Sequence, residues 1–67
     1  MRATVNGEEV DLAGVETIAA LVEQVTGTPD RRGIAVARNG EIVRRDDWSE
    51  RLEDGDEIEI VRAVQGG

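Results

Sequence analysis

Two Asn-Gly dipeptides, Asn6-Gly7 and Asn39-Gly40, lie on either side of the one helix-periodic segment and limit what this chain can fold into. Asn and Gly accept the positive backbone angles of a type I′ turn, which reverses a strand within two residues. Before the first dipeptide Ala3 and Val5 alternate with Arg2 and Thr4, and after it Val10 and Leu12 alternate with Glu9 and Asp11, so residues 2–12 read as a hairpin. The second separates Ile34-Ala35-Val36-Ala37, a nearly continuous apolar run suited to a strand flanked on both sides, from Glu41-Ile42-Val43. Between the hairpins the period changes: Ile18, Leu21, Val22 and Val25 share one helical face, with Thr17 as N-cap, Gly27 as C-cap and Pro29 preventing continuation. Trp48 and Leu52, four residues apart, reach one end of the core from a short helical turn. Asp54-Gly55-Asp56 makes a turn into a last strand over residues 57–63. The order is β-β-α-β-β-β, an α+β roll with one main helix on a mixed sheet of four to five strands.

Composition removes most chemistry from such a roll. With 67 residues the chain makes one domain and a thin core, and with no Cys and no His it has neither disulfides nor a usual zinc site to reinforce it. Thiol nucleophiles, imidazole bases and Ser-His-Asp arrangements are absent. All eight basic residues are arginines, so Schiff-base chemistry is absent too, as is any side-chain amine for isopeptide conjugation. Carboxylates are plentiful, but so small a core leaves little room for a cleft of the usual ~300 Å³, and spread acids read as solvated surface. The acids around Gly55 lack the rest of a calcium loop. No catalytic residue, metal site or bound cofactor is therefore expected. A net charge of -7 with a single aromatic residue argues against nucleic acid, and no apolar run suits a signal sequence or membrane span, which points to the cytoplasm. The Arg31-Arg32 and Arg44-Arg45 pairs remain as local anion contacts.

What is left is the tail. Residues 1–63 read as the folded domain and Val64-Gln65-Gly66-Gly67 as a flexible arm. The diglycine suits a frayed end, or an arm thin enough to enter a narrow channel, since Gly66 and Gly67 have no Cβ. Fully extended, four residues reach roughly 13 Å. A carboxylate on Gly67 is a poor electrophile until activated, for instance as an acyl adenylate, and the activating machinery would have to belong to another protein.

This arrangement resembles the ThiS family of sulfur carriers, within the ubiquitin-like β-grasp superfamily. The resemblance runs the whole chain and is carried by Val36-Ala37-Arg38-Asn39-Gly40-Glu41-Ile42-Val43, by Arg45 and Trp48 in a Val-x-Arg-x-x-Trp pattern, by Asp54-Gly55-Asp56 and by Gly66-Gly67. It implies that a ThiF-type adenylating enzyme uses ATP to make an acyl adenylate of the Gly67 carboxylate. Sulfur from a cysteine desulfurase or persulfide donor then displaces AMP, giving a thiocarboxylate, and thiazole synthase (ThiG) accepts the sulfur. Val64, Gln65 and Gly66 would occupy the partner's channel. The molybdopterin-synthase carriers of the MoaD family share the roll and the tail, but tend to be longer, with a proline near the terminus that Arg62-Ala63-Val64-Gln65 lacks. An inert β-grasp interaction module is a further alternative, and a carboxylate-based enzyme ranks last.

Strand alternation extends the expectation to docking. If Ile58 and Ile60 face the helix, Val61 and Ala63 lie on the outer face beside the tail, either as docking surface or as ordinary exposed apolar residues. The net negative charge suits steering toward basic collars on partners.

Overall fold

Six regular elements and one short 3-10 turn account for the described part of the chain, residues 1–63, in a computed structural model. They are β1 (Arg2–Val5), β2 (Glu8–Asp11), α1 (Ile18–Thr26), β3 (Ile34–Arg38), β4 (Glu41–Val43) and β5 (Glu57–Arg62), with the 3-10 turn at Arg45–Asp47. Both dipeptides form the expected turns, with φ of 50° and 84° at Asn6-Gly7 and 51° and 85° at Asn39-Gly40. The five strands form one sheet in the order β2-β1-β5-β3-β4. β1 and β5 run parallel at its centre and the other pairs are antiparallel. This is the mixed-sheet β-grasp roll that the resemblance implies.

The core lies between α1 and the inner sheet face, where Ala3, Val5, Ile34, Val36, Ile58 and Ile60 meet Ile18, Leu21 and Val22. Burying a side chain such as Ile18 or Leu21, each fully enclosed, contributes about 1.5–3 kcal/mol. Thr17 caps α1, its Oγ1 accepting from the Ala20 N–H at 3.2 Å, and Gly27 ends it at φ 77°. Val25 departs from the expected helical face: it lies 46% exposed in the last turn, past the point where the core beneath the helix ends.

Trp48 and Leu52 are buried as expected, 1% and 5% exposed, and the segment carrying them does more than fill space. The carbonyls of Glu50 and Trp48 accept from the N–H groups of Ile18 and Ala19 at 3.1 and 2.8 Å. They thus satisfy donors in the first turn of α1 that have no partner within the helix. The Trp48 indole N–H donates to the Val43 carbonyl at 3.2 Å, fixing the ring under the end of β4. No helix among the described residues is long and apolar enough to cross a membrane.

Candidate functional site

The last described strand is held on both edges as far as Ile60 and on its β3 edge as far as Ala63. On one side β3 pairs with it from Arg38↔Ile58 to Ile34↔Arg62. The Ala63 N–H then donates to the Gly33 carbonyl at 2.6 Å. Gly33 has φ 71°, a conformation that favours glycine. On the other side β1 ends at Val5, and the Asn6 side chain takes over the ladder: its amide donates to the Ile60 carbonyl at 3.2 Å and its oxygen accepts from the Ile60 N–H at 2.8 Å. Asn39 does the same at the start of β5, its side-chain oxygen accepting from the Glu57 N–H at 2.9 Å. Each turn asparagine therefore bends its own hairpin and also grips the strand that carries the tail.

The outer sheet face is divided. Val61 lies opposite Ala35, and Ala37 lies opposite both Glu59 and Ile42, so Val61, Ala35, Ala37 and Ile42 form an apolar patch across β5, β3 and β4. Val61 is 59% and Ile42 75% exposed. Ala63, also exposed, follows at the root of the tail. Glu57 and Glu59 make the earlier half of β5 acidic on this face. The expected docking residues Val61 and Ala63 are thus both exposed beside the tail root, and Ile42 joins them across β3. Its outward direction was available from alternation, since Val43 turns inward, but its position beside Ala37 depends on register.

Behind the root, the loop before β3 and the end of β5 enclose an open concavity of about 470 Å³ lined by Thr28, Asp30, Arg32, Gly33, Arg62 and Ala63. It is an open surface hollow between a loop and a strand end, so it needs no core volume. Arg32 grips Asp30 with its Nε and Nη2, the latter at 2.9 Å. The hydrogen bonds from the Arg32 side chain and backbone lower the Asp30 carboxyl to about 2. No group of three or more metal-ligating side chains comes together among the described residues. The tail positions expected to react or thread a channel, Val64, Gln65, Gly66 and Gly67, lie outside the described residues.

The far end of β5 carries a polar cluster that sequence reasoning treated only as a turn. Asp56 is 5% exposed. Its carboxylate accepts from the Glu53 N–H at 2.8 Å and the Asn39 amide at 3.2 Å, and pairs with the Arg38 guanidinium at 2.8 Å. Arg38 also donates to the Arg51 carbonyl at 3.0 Å. Burial alone would raise the Asp56 carboxyl, but these hydrogen bonds and the Arg38 charge outweigh it and leave the group below its usual value. The cluster ties the strand turn β3-β4 to the turn before β5. It explains structurally why Arg38-Asn39-Gly40 and Asp54-Gly55-Asp56 occur together.

Comparison with known proteins agrees with this geometry. The ThiS family model matches residues 3–67. Among solved structures, the thiamine biosynthesis protein ThiS from Geobacter metallireducens is similar with a TM-score of 0.72 and 26% identity, covering 100% of each chain. No curated protein sequence matches significantly. A β-grasp roll with an exposed apolar patch beside the end of its last strand, matched by one family model over residues 3–67, belongs to the ThiS family, the small sulfur carriers of thiamin biosynthesis.

Proposed function

We propose that the chain carries sulfur as a thiocarboxylate on Gly67, made by a ThiF-type adenylating enzyme and delivered to thiazole synthase. The observation that carries this reading is the rigid root of the tail: β5 is fixed from Glu57 to Ala63 by β3, Asn6 and Asn39. The domain can then aim a short arm without contributing catalytic groups. The family match running through Gly67 supports the choice of reacting carboxylate. In the first step a carboxylate oxygen of Gly67 attacks the α-phosphate of ATP and pyrophosphate leaves. In the second, sulfur from a cysteine desulfurase or persulfide donor attacks the acyl carbon and AMP leaves. A reductant, such as a thiol, is needed where a persulfide sulfur must be released as the thiocarboxylate. The resulting sulfur nucleophile stays attached to protein, so free sulfide is never released.

The test is incubation of the chain with ATP, the adenylating enzyme, a desulfurase, cysteine and a thiol reductant, followed by intact mass. Replacement of one oxygen by sulfur is the expected result, and an unchanged mass with enzymes competent on another carrier overturns the reading. Supplying the thiocarboxylate form to thiazole synthase together with the synthase's carbon and nitrogen co-substrates should then give the thiazole product.

The apolar patch provides a separate check. Losing the burial of a valine side chain costs about 1.5 kcal/mol, or roughly tenfold in affinity. Val61→Asp is therefore expected to raise the carrier KM for adenylation at least about tenfold while the melting temperature stays near the parent's. A folded variant with unchanged kinetics would remove Val61 from the docking face.

A further inference from the structure

The strand register collects at one end of the sheet the two arginine pairs that the sulfur-carrier chemistry leaves unused. Arg62 ends β5 opposite Ile34, and Arg31 and Arg32 immediately precede Gly33 and β3. Val43 is the last residue of β4 and lies opposite Val36. Arg44 continues in an extended conformation (φ -68°, ψ 150°), so the chain runs on toward the same end of the sheet. The Arg31 guanidinium stands 5.4 Å from the centre of the Trp48 ring, which confirms that the segment after β4 returns beside the loop before β3. Five of the eight arginines, all exposed, thus lie at the end of the sheet where β5 finishes.

The acids nearby are Glu23, which lines the same surface hollow as Arg31, and Asp30, Asp46 and Asp47. Asp30 is engaged by Arg32, and Arg62, Arg44 and Arg45 have no ion pair among the described residues. Five arginines against four acids leave this end with a small positive excess on a chain whose net charge is -7. β5 and β4 lie two strand spacings apart, about 10 Å, so the positive charges spread across this end of the sheet instead of forming one point. The expected steering toward basic collars on partners rests on the net charge of the whole chain, whereas the end of the sheet at Ala63 carries exposed arginines.

We propose that Arg32, Arg44, Arg45 and Arg62, with Arg31 behind them, form a cationic collar that docks on acidic side chains at the mouth of the adenylating enzyme's channel. The inference rests on the carrier reading above. A nucleotide phosphate is the weaker ligand, because four extended residues would span roughly 13 Å between the collar and the reacting carboxylate. Acidic side chains around the channel mouth meet the collar as the arm enters. Glu57 and Glu59 on the far half of the outer face make the docking surface two-signed, which fixes orientation as well as attraction. Rim charges of this kind act mainly on association rate and its salt dependence.

The test uses the full chain and the adenylating enzyme, comparing the parent with Arg44→Glu/Arg62→Glu and Arg44→Lys/Arg62→Lys. Arg31 stays unchanged because of its contact with Trp48, and Arg32 because it holds Asp30. In low salt the glutamate variant is expected to raise the carrier KM about tenfold or more, with kcat within about twofold and the KM for ATP unchanged. The lysine variant should retain most of the parent's efficiency. The parent's carrier KM should rise with ionic strength, and this rise should flatten in the glutamate variant, as screening removes a contact that it lacks. Melting temperatures should agree within a few degrees.

A glutamate variant with the parent's carrier KM and salt dependence overturns the collar, as does a change confined to the KM for ATP. Calorimetric binding of each form to the enzyme without ATP separates the collar from the function. Parent binding without adenylate formation defeats the carrier reading alone, and equal affinity of parent and glutamate variant defeats the collar alone. No binding of the parent defeats both.

Discussion

Removing Gly67 is expected to abolish thiocarboxylate formation while leaving the domain folded. The chain has no Cys, His or Lys to provide a substitute nucleophile or acyl acceptor, so on the proposed mechanism the reacting group is one carboxylate four residues beyond Ala63. Deleting one residue shortens that reach by roughly 3.4 Å. A misplacement of about 1 Å can already cost about 10²-fold in rate, so pyrophosphate release should fall by at least about 10²-fold. No core residue is touched, and the melting temperature should stay within a few degrees of the parent's. Gly66→Val tests the other requirement, passage through a narrow channel, and should lower the rate although the length is unchanged. A Gly67 deletion adenylated at the parental rate would place the chemistry elsewhere. The measurement also separates arm from domain: a loss accompanied by unfolding would mean that the tail contributes to the core.

The parts of the fold that were legible in the sequence depend on neighbours close along the chain. The Asn-Gly turns, the Thr17 and Gly27 caps, and the alternation in β5 are each set within a few residues, and each appears as read. The features that were missed depend on register. Asn6 reaches Ile60 across 54 positions, a contact that exists only because β1 and β5 lie parallel at the sheet centre. Ile42 becomes part of a patch only once β4 is paired to β3 with Ala37 opposite it. The gathering of Arg31, Arg32, Arg44, Arg45 and Arg62 has the same origin: in the sequence they are two pairs and a single residue, and two antiparallel pairings bring them to one end. For the site, alternation located Val61 and Ala63 beside the tail, whereas Ile42 and the polarity of the surrounding charge required the assembled sheet.

Asp56 should be the most costly single side chain outside the apolar core. Asp56→Ala leaves the Arg38 guanidinium, whose side chain is 17% exposed, without its closest counter-charge. It also strands the Glu53 N–H and the Asn39 amide. Breaking a pair this buried costs about 3 kcal/mol or more, against a total stability of roughly 3–10 kcal/mol for a domain of this size. The expected fall in melting temperature is roughly 12–24 °C. Glu53→Gln is the control, since Glu53 lies 4.0 Å from Arg38 with its side chain 80% exposed and should cost less than about 1 kcal/mol. Asp56→Asn reads the charge directly through pH. The folded carboxyl lies below its ordinary value, so the unfolded chain takes up its proton first as pH falls. The stability that Asp56 contributes is complete above the unfolded value, about 3.9, and is lost progressively as pH drops from there through the folded value. The stability gap between the parent and Asp56→Asn should therefore be constant from neutral pH down to about 5 and close below about 4. A gap that persists undiminished in strong acid would mean that the Asp56 charge contributes nothing and that packing alone holds this corner. Because the same cluster fixes the start of β5 through Asn39, destabilised variants should also lose adenylation as they unfold, in step with the folded fraction and without a separate change in the carrier KM.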